Sequence, residues 1–259
     1  MGRIKFANVS KTFDTRTGAV TALSEVDLEI RDSEFIAIVG ASGCGKSTLL
    51  NLVAGFEKAS TGHILVDGLE VREPGPDRGA VFQQTALFPW LSVAENVAFG
   101  LTLNANKTSK DVINEKVDLM LQKVGLEKFR KRYPSELSGG MRQRAAIAAV
   151  LMINPEILLM DEPFGALDAL TRSIMQDFLL DLWESNRKTV VLVTHDINEA
   201  IYLSDRTVVM TAHPGRVHEI VDVRLPRPRS YSIQGSPEFI SLRDRVTDTV
   251  RKEAAITHA

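Results

Sequence analysis

The stretch Gly40-Ala41-Ser42-Gly43-Cys44-Gly45-Lys46-Ser47 has the spacing G-x-x-x-x-G-K-[ST]. Its glycines let backbone N–H groups curl around phosphate oxygens with no Cβ in the way. In that chemistry the Lys46 ammonium meets the β and γ phosphates and the Ser47 hydroxyl holds Mg²⁺. A helix continuing through Thr48 would turn its positive end to the anion. Adjacent carboxylates, Asp161 and Glu162, follow the apolar run Ile157 to Met160. On a strand they point to opposite sides, so one can face a metal while the other faces a water. Gln83 ends the segment Ala-Val-Phe-Gln-Gln with an amide oxygen able to reach Mg²⁺ or an attacking water, and His195 follows the apolar run Val190 to Val193. Alone, a glutamine or a histidine in such a place means little. At strand ends of one sheet they gather where α/β proteins collect their ligands. Ser138, Gly139 and Gly140 in Leu-Ser-Gly-Gly-Met precede the apolar stretch Ala145 to Ile153, which makes a second helix N-terminus suited to an anion.

The elements that must position these groups follow from periodicity. Phe35 to Val39 is continuously apolar, as a parallel strand covered on both faces should be. Residues 3–9 and 22–30 alternate apolar and polar, which predicts half-exposed antiparallel strands in a separate β layer. Phe13 is expected in a loop between them, where its ring could stack on a purine or serve only packing. Residues 60–71 read as a hairpin about Asp67-Gly68, 80–84 as a short buried strand, and Thr207 to Thr211 as the last strand. Thr108 and Asp111 have capping-box spacing ahead of a helix to Val124, and Asp196 with Glu199 has the same look after His195. Residues 86–153 therefore read as a mainly helical insertion, with Phe88 and Trp90 expected on a contact surface. The segment around 226–230, Pro-Arg-Pro-Arg-Ser, reads as a linker to a tail helix that starts at Ser236-Pro237.

With 259 residues the chain is long enough to bury a proper core. Its formal net charge of -2 offers no overall basic field to recruit nucleic acid. One cysteine excludes an internal disulfide framework and fits a reducing compartment. Since Cys44 lies inside the glycine-rich loop, a bulky thiol reagent is expected to block that loop. The first residues lack the apolar region of a signal peptide, and the longest strongly apolar run is too short to span a bilayer.

Five motifs in fixed order, GASGCGKS, the glutamine of VFQQ, LSGGM, ILLMDE with GALD after it, and His195, resemble the nucleotide-binding subunit of ATP-binding cassette (ABC) transporters over nearly the whole length. P-loops occur in many families; LSGGM ahead of a hydrophobic-Asp-Glu strand is close to specific for this one. The resemblance implies an α/β P-loop NTPase of RecA-like type, with a parallel sheet core, an N-terminal antiparallel β layer and a helical insertion. It implies a cassette over 1–225, with core 1–85 and 154–225 and insertion 86–153, followed by linker and tail helix over 226–259. It also implies roles: Phe13 stacks on adenine, Gly40 to Thr48 bind phosphates, and Ser47, Gln83 and Asp161 hold Mg²⁺. Glu162 is then the general base and His195 senses the γ-phosphate. In the family two cassettes pack head to tail, so Ser138 to Gly140 of one close on the ATP held by Lys46 of the other.

Longer stretches, GPDRGAVFQQTALFPWLSVAENVAFGL and later HPGR with PRPR, resemble importer cassettes of the nitrate, sulfonate, taurine and bicarbonate group. That implies permease subunits, a periplasmic or lipoprotein solute-binding protein in the same complex, and a peripheral place on the cytoplasmic face of the inner membrane. Two alternatives differ in class. A soluble ABC ATPase of translation or DNA repair would act on nucleic acid, and a P-loop small-molecule kinase would leave LSGGM without a purpose. Gly165 stands where many relatives have serine and Met141 where many have glutamine; neither is a phosphate ligand.

Overall fold

The structure is a computed structural model describing residues 2–16, 18–103 and 109–257. The chain begins with a long hairpin, β1 (Ile4–Thr15) and β2 (Gly18–Ile30), whose apolar alternation buries Ile4, Phe6 and Val9 against Leu23, Val26, Leu28 and Ile30. Phe13 is not in a loop: it belongs to β1 and pairs with Val20, because the hairpin pairing continues to Thr15 and Gly18. The buried strand β3 (Phe35–Gly40) and the helix α1 (Lys46–Ala54) follow, joined by the glycine-rich loop. Next, β4 (Thr61–Val66) and β5 (Leu69–Glu70) close the four-stranded sheet β2-β1-β4-β5 through an Asp67-Gly68 turn with both residues at positive φ.

The second sheet carries the site. Its members are β3, β6 (Arg78–Val81), β7 (Ile157–Asp161), β8 (Thr189–Val193), β9 (Arg206–Met210) and β10 (Val217–Asp222), in the order β10-β9-β3-β8-β7-β6. All its neighbours are parallel except β10, which runs back along β9. Two expectations are corrected here. β6 stops at Val81, so Phe82 and Gln83 lie beyond the strand and are exposed. The strand at 206–210 is not the last, because Val217–Asp222 pairs with it; the mixed pattern of an edge strand hid β10.

Why the central strands read as continuous apolar runs is visible in their alternation. Phe35, Ala37 and Val39 of β3 join one core cluster with Leu158 and Met160 of β7 and Val190 and Leu192 of β8. Ile36 and Ile38 join the opposite cluster with Ile157, Leu159, Val191 and Val193. Each large side chain so buried contributes roughly 1.5–3 kcal/mol. The antiparallel sheet and α1 cover the second face, and helices cover the first.

Those helices are α2 (Val93–Leu103), α3 (Lys110–Lys123), α4 (Gly139–Met152), α5 (Ala169–Ser185), α6 (Ile197–Leu203) and α7 (Pro237–Thr257). Thr108 lies outside the described residues; the cap of α3 is Ser109, whose hydroxyl accepts from Val112 N at 3.4 Å. α7 packs back on the first core through Phe239 and Val246, with Leu242 and Val250 partly buried beside them.

The 226–230 segment is not a solvated linker. Arg227 lies over the Trp183 ring at 4.3 Å and bonds Asp205 and Leu203 O. Arg229 is buried and donates through Nη1 to the carbonyls of Ile201, Tyr202 and Ser204, and through Nη2 to Val223 O. Proline and arginine in alternation look like linker composition; here the guanidinium groups satisfy the carbonyls at the C-terminal end of α6, as a fork of donors can.

Candidate active site

Because β3, β8, β7 and β6 are consecutive neighbours, their C-terminal ends bring the expected groups into one row. Ala22, Ser42, Gly43, Gly45, Lys46, Ser47, Thr48, Gln83, Glu162 and His195 line one open cleft of about 510 Å³. That is within the range of small-molecule sites. Nothing in the sequence points to Ala22; it comes from β2, so the antiparallel layer supplies one wall.

The loop geometry explains its residue types. Gly43 and Gly45 have φ of 78° and 88°, and a Cβ on Gly45 would sit 2.6 Å from Leu23 Cδ2. Only glycine turns there without strain or collision. Gly40 and Ala41 lend their carbonyls to Lys46 Nζ, at 2.9 Å each. Cys44 is fully buried in the second core, with its Sγ 3.6 Å from Lys46 Nζ. Its thiol is thus turned away from the cleft and belongs to the packing, which corrects the expectation of an accessible thiol. Only its backbone is part of the loop.

Asp161 is the last residue of β7, and Glu162 follows at φ 46°, a left-handed conformation costly for a side chain of this kind. The turn is held by Glu162 N donating to Val193 O at 2.9 Å. Asp161 hydrogen-bonds with the Ser47 side chain, and burial pushes its carboxyl up, helped by neighbouring Glu162 and opposed by Ser47 and Lys46. Glu162 has both oxygens engaged: Gln83 Nε2 donates to Oε2 at 3.1 Å, and His195 Nδ1 lies 3.2 Å from Oε1. The exposed His195 and Gln83 therefore flank a half-buried carboxylate. Phe13 is partly exposed, with Lys11 Nζ 4.6 Å from its ring centroid, and is not among the residues lining the cleft.

Ser138 caps α4, its hydroxyl accepting from Met141 N at 3.3 Å, with Gly139 and Gly140 in the first turn. These residues do not line the cleft. Gly140 abuts the Gly165–Asp168 turn instead: its Cβ, if present, would lie 3.2 Å from Leu167 Cδ2. The molecule thus keeps its two anion-suited helix ends apart.

Behind His195, Asp196 caps α6 by accepting from Asn198 N and Glu199 N. Glu199 does not complete a capping box. Its side chain is buried and accepts from Gln176 Nε2 at 3.0 Å on α5 and from the Thr194 side chain. Burial first, then Asp196, pushes its carboxyl up to about 7, opposed by Thr194, Gln176 and Arg172. Folded Glu199 therefore holds its proton above its ordinary 4.5, and its contribution to stability is lost as pH rises through about 7. Glu199→Gln keeps the shape and hydrogen-bond capacity. Thermal unfolding should show the variant equal to wild type near pH 4.5 and gaining on it toward pH 8, by on the order of 3 kcal/mol. A constant difference across that range would contradict the assignment.

Comparison with known proteins shows the family. Residues 23–165 match the ABC transporter family. The chain is 47% identical over 254 residues to an uncharacterized ABC transporter ATP-binding protein of Methanocaldococcus jannaschii, covering 97% of this chain and 92% of that one. It is 45% identical over 243 residues to an aliphatic sulfonates import ATP-binding protein of Bacillus cereus, covering 94% of each. In structure it resembles an ATP-binding cassette solved as a dimer in a post-hydrolysis state with ADP and Pi, at TM-score 0.78 and 35% identity, over 86% of this chain and all of that one. The chain belongs to the ABC transporter family, and within it to the ATP-binding subunits, which are ATPases coupled to transport.

Proposed function

We propose that this chain energises an importer for a small anion of the nitrate, sulfonate, taurine or bicarbonate type, working as a head-to-tail dimer with ATP between two cassettes. The observation that carries the dimer reading is the separation of Ser138–Gly140 from the cleft of Lys46. An anion-suited helix end that does not line its own cleft is explained if it closes a partner's. Support for the importer comes from the relative described for aliphatic sulfonates, and nothing comparable favours the translation or repair reading. In this reading residues 1–85 and 154–225 act as the core, 86–153 as the insertion facing a permease, and 226–259 as a docked C-terminal arm. The complex would sit at the cytoplasmic face of the inner membrane with a solute-binding protein on the far side. Among the described residues no helix is long and apolar enough to cross a membrane.

The donor set suits Mg²⁺. Among the described residues no group of three or more His, Cys, Asp and Glu could hold a metal alone. Ser47, Gln83 and Asp161 offer a hydroxyl, an amide and one carboxylate, a set that phosphate oxygens and water complete. When bound, the metal would neutralise charge on the phosphates. Glu162, oriented by Gln83 and His195, takes the proton of the attacking water. Lys46 exchanges a loop carbonyl for a phosphate oxygen, and Phe13 stacks on the adenine.

Permease coupling is tested at the aromatic surface, where the two rings differ. Phe88 packs on Phe99 at 4.5 Å, and its backbone is clamped by the buried Asn96, whose Oδ1 accepts from Phe88 N at 2.8 Å and whose Nδ2 donates to Phe88 O and Leu91 O. Trp90 is 70% exposed. Phe88→Ala should cost about 2–4 kcal/mol of stability. Trp90→Ala should change stability by less than about 0.5 kcal/mol, leave the ATPase of the purified chain intact and abolish anion uptake in vesicles holding the complete complex. Wild-type uptake with Trp90→Ala would remove this surface from the coupling route.

A further inference from the structure

His195 is held from behind. Its side chain is 69% exposed, so its place is set by the backbone turn 194–196 that carries it. Thr194 N donates to Ile38 O at 3.2 Å, and Asp196 N donates to Thr194 Oγ1 at 3.0 Å. The far side of that turn is met by Arg172, which projects from the first turns of α5. Its Nη2 donates to Leu167 O at 3.1 Å, and its Nη1 lies 3.8 Å from Asp196 Oδ2. Leu167 belongs to the turn against which Gly140 packs. Glu162, Gly165, Arg172, His195 and Asp196 share the wall of one cavity of about 40 Å³ between these turns.

One guanidinium therefore ties the turn beside Ser138–Gly140 to the turn carrying His195. A planar fork can hold a carbonyl and a carboxylate at once, which an ammonium does less well. We propose that Arg172 is a positioning residue for ATP hydrolysis: through Asp196 it sets His195 against Glu162, and through Leu167 O it makes that setting depend on the Gly165–Asp168 turn. The proposal rests on the hydrolytic reading above. Arg172 and Asp196 are each about one-third exposed, so the pair adds little to stability and its effect should fall on rate.

The test uses the purified full-length chain and steady-state ATP hydrolysis. Arg172→Gln should lower kcat by roughly tenfold or more while KM for ATP stays within about twofold, since misplacing a catalytic group costs rate and not ground-state binding. Asp196→Asn keeps a good helix cap and should lower kcat to a similar degree. The double variant should be no slower than the worse single one, because both remove one link. Arg172→Lys should fall between wild type and Arg172→Gln. Melting temperatures should change little throughout. Wild-type kcat in Arg172→Gln, effects of Arg172→Gln and Asp196→Asn that multiply, or a rise in KM at constant kcat would each overturn the proposal. Glu162→Gln is the control that separates it from the hydrolytic reading. An active wild type silenced by Glu162→Gln, with Arg172→Gln unaffected, sinks this inference alone; a wild type without ATPase activity sinks both.

Discussion

Glu162→Gln lowers kcat for ATP hydrolysis by about 10²–10⁴-fold, the span expected when a general base is removed. The amide keeps the shape of the carboxylate and can still accept from Gln83 Nε2, which lies 3.1 Å away, but it cannot take a proton from water. It also removes the charge next to Asp161, whose carboxyl that charge helps to push up. Nucleotide binding should therefore be retained or improved. Equilibrium binding together with single-turnover hydrolysis measures both halves of the expectation. Turnover near the wild-type rate would take Glu162 out of the reaction.

The second large effect is on the fold. Arg229→Ala should destabilise the protein by about 3–5 kcal/mol, as removal of a buried charged donor does. Arg229 is 8% exposed, and its guanidinium satisfies carbonyls of the buried Ile201, Tyr202, Ser204 and Val223. Burial, then neighbouring Arg227, pulls its pKa down to about 10, so it remains charged at neutral pH. Denaturant unfolding of wild type and variant gives the difference directly. A loss below about 0.5 kcal/mol, the size of an ordinary surface change, would return this segment to the status of a linker.

Local signals explain how much of the molecule is legible in its sequence. The sheet core is readable because β3, β7 and β8 are apolar on both faces and leave unbroken runs, and the hairpin because β1 and β2 alternate. Lys46, Gln83, Glu162 and His195 are readable as neighbours because each follows a strand of one parallel sheet, and such strands deliver their ends to one edge. Long-range contacts leave no such trace. Ala22 enters the cleft from the other sheet, and nothing in its type announces that. Asn96 and Arg229 are polar residues whose composition suggests surface, yet each is buried by bonding carbonyls of a chain that must bend near it. Glu199 has the spacing of a cap and instead faces Gln176, because α5 packs close enough to offer a better partner. Cys44 sits in a glycine-rich loop that looks open, while its side chain points into the core under it.

In the proposed head-to-tail arrangement a working site is shared between two cassettes, and mixed dimers show whether it is. Lys46→Ala and Ser138→Arg are placed either on the same chain or on different chains. In a self-contained site, both changes on one chain would spare its partner. In the head-to-tail arrangement, the same-chain pair damages both sites, one through the lost ammonium and the other through a bulky side chain at the helix end that should close on a phosphate. The split pair puts both changes on one site and leaves the other chemically whole. Nucleotide trapped per dimer is the quantity to measure, since steady-state turnover can require two sites. Trapping should be near zero for the same-chain pair and clear for the split pair; the opposite order would overturn the shared site.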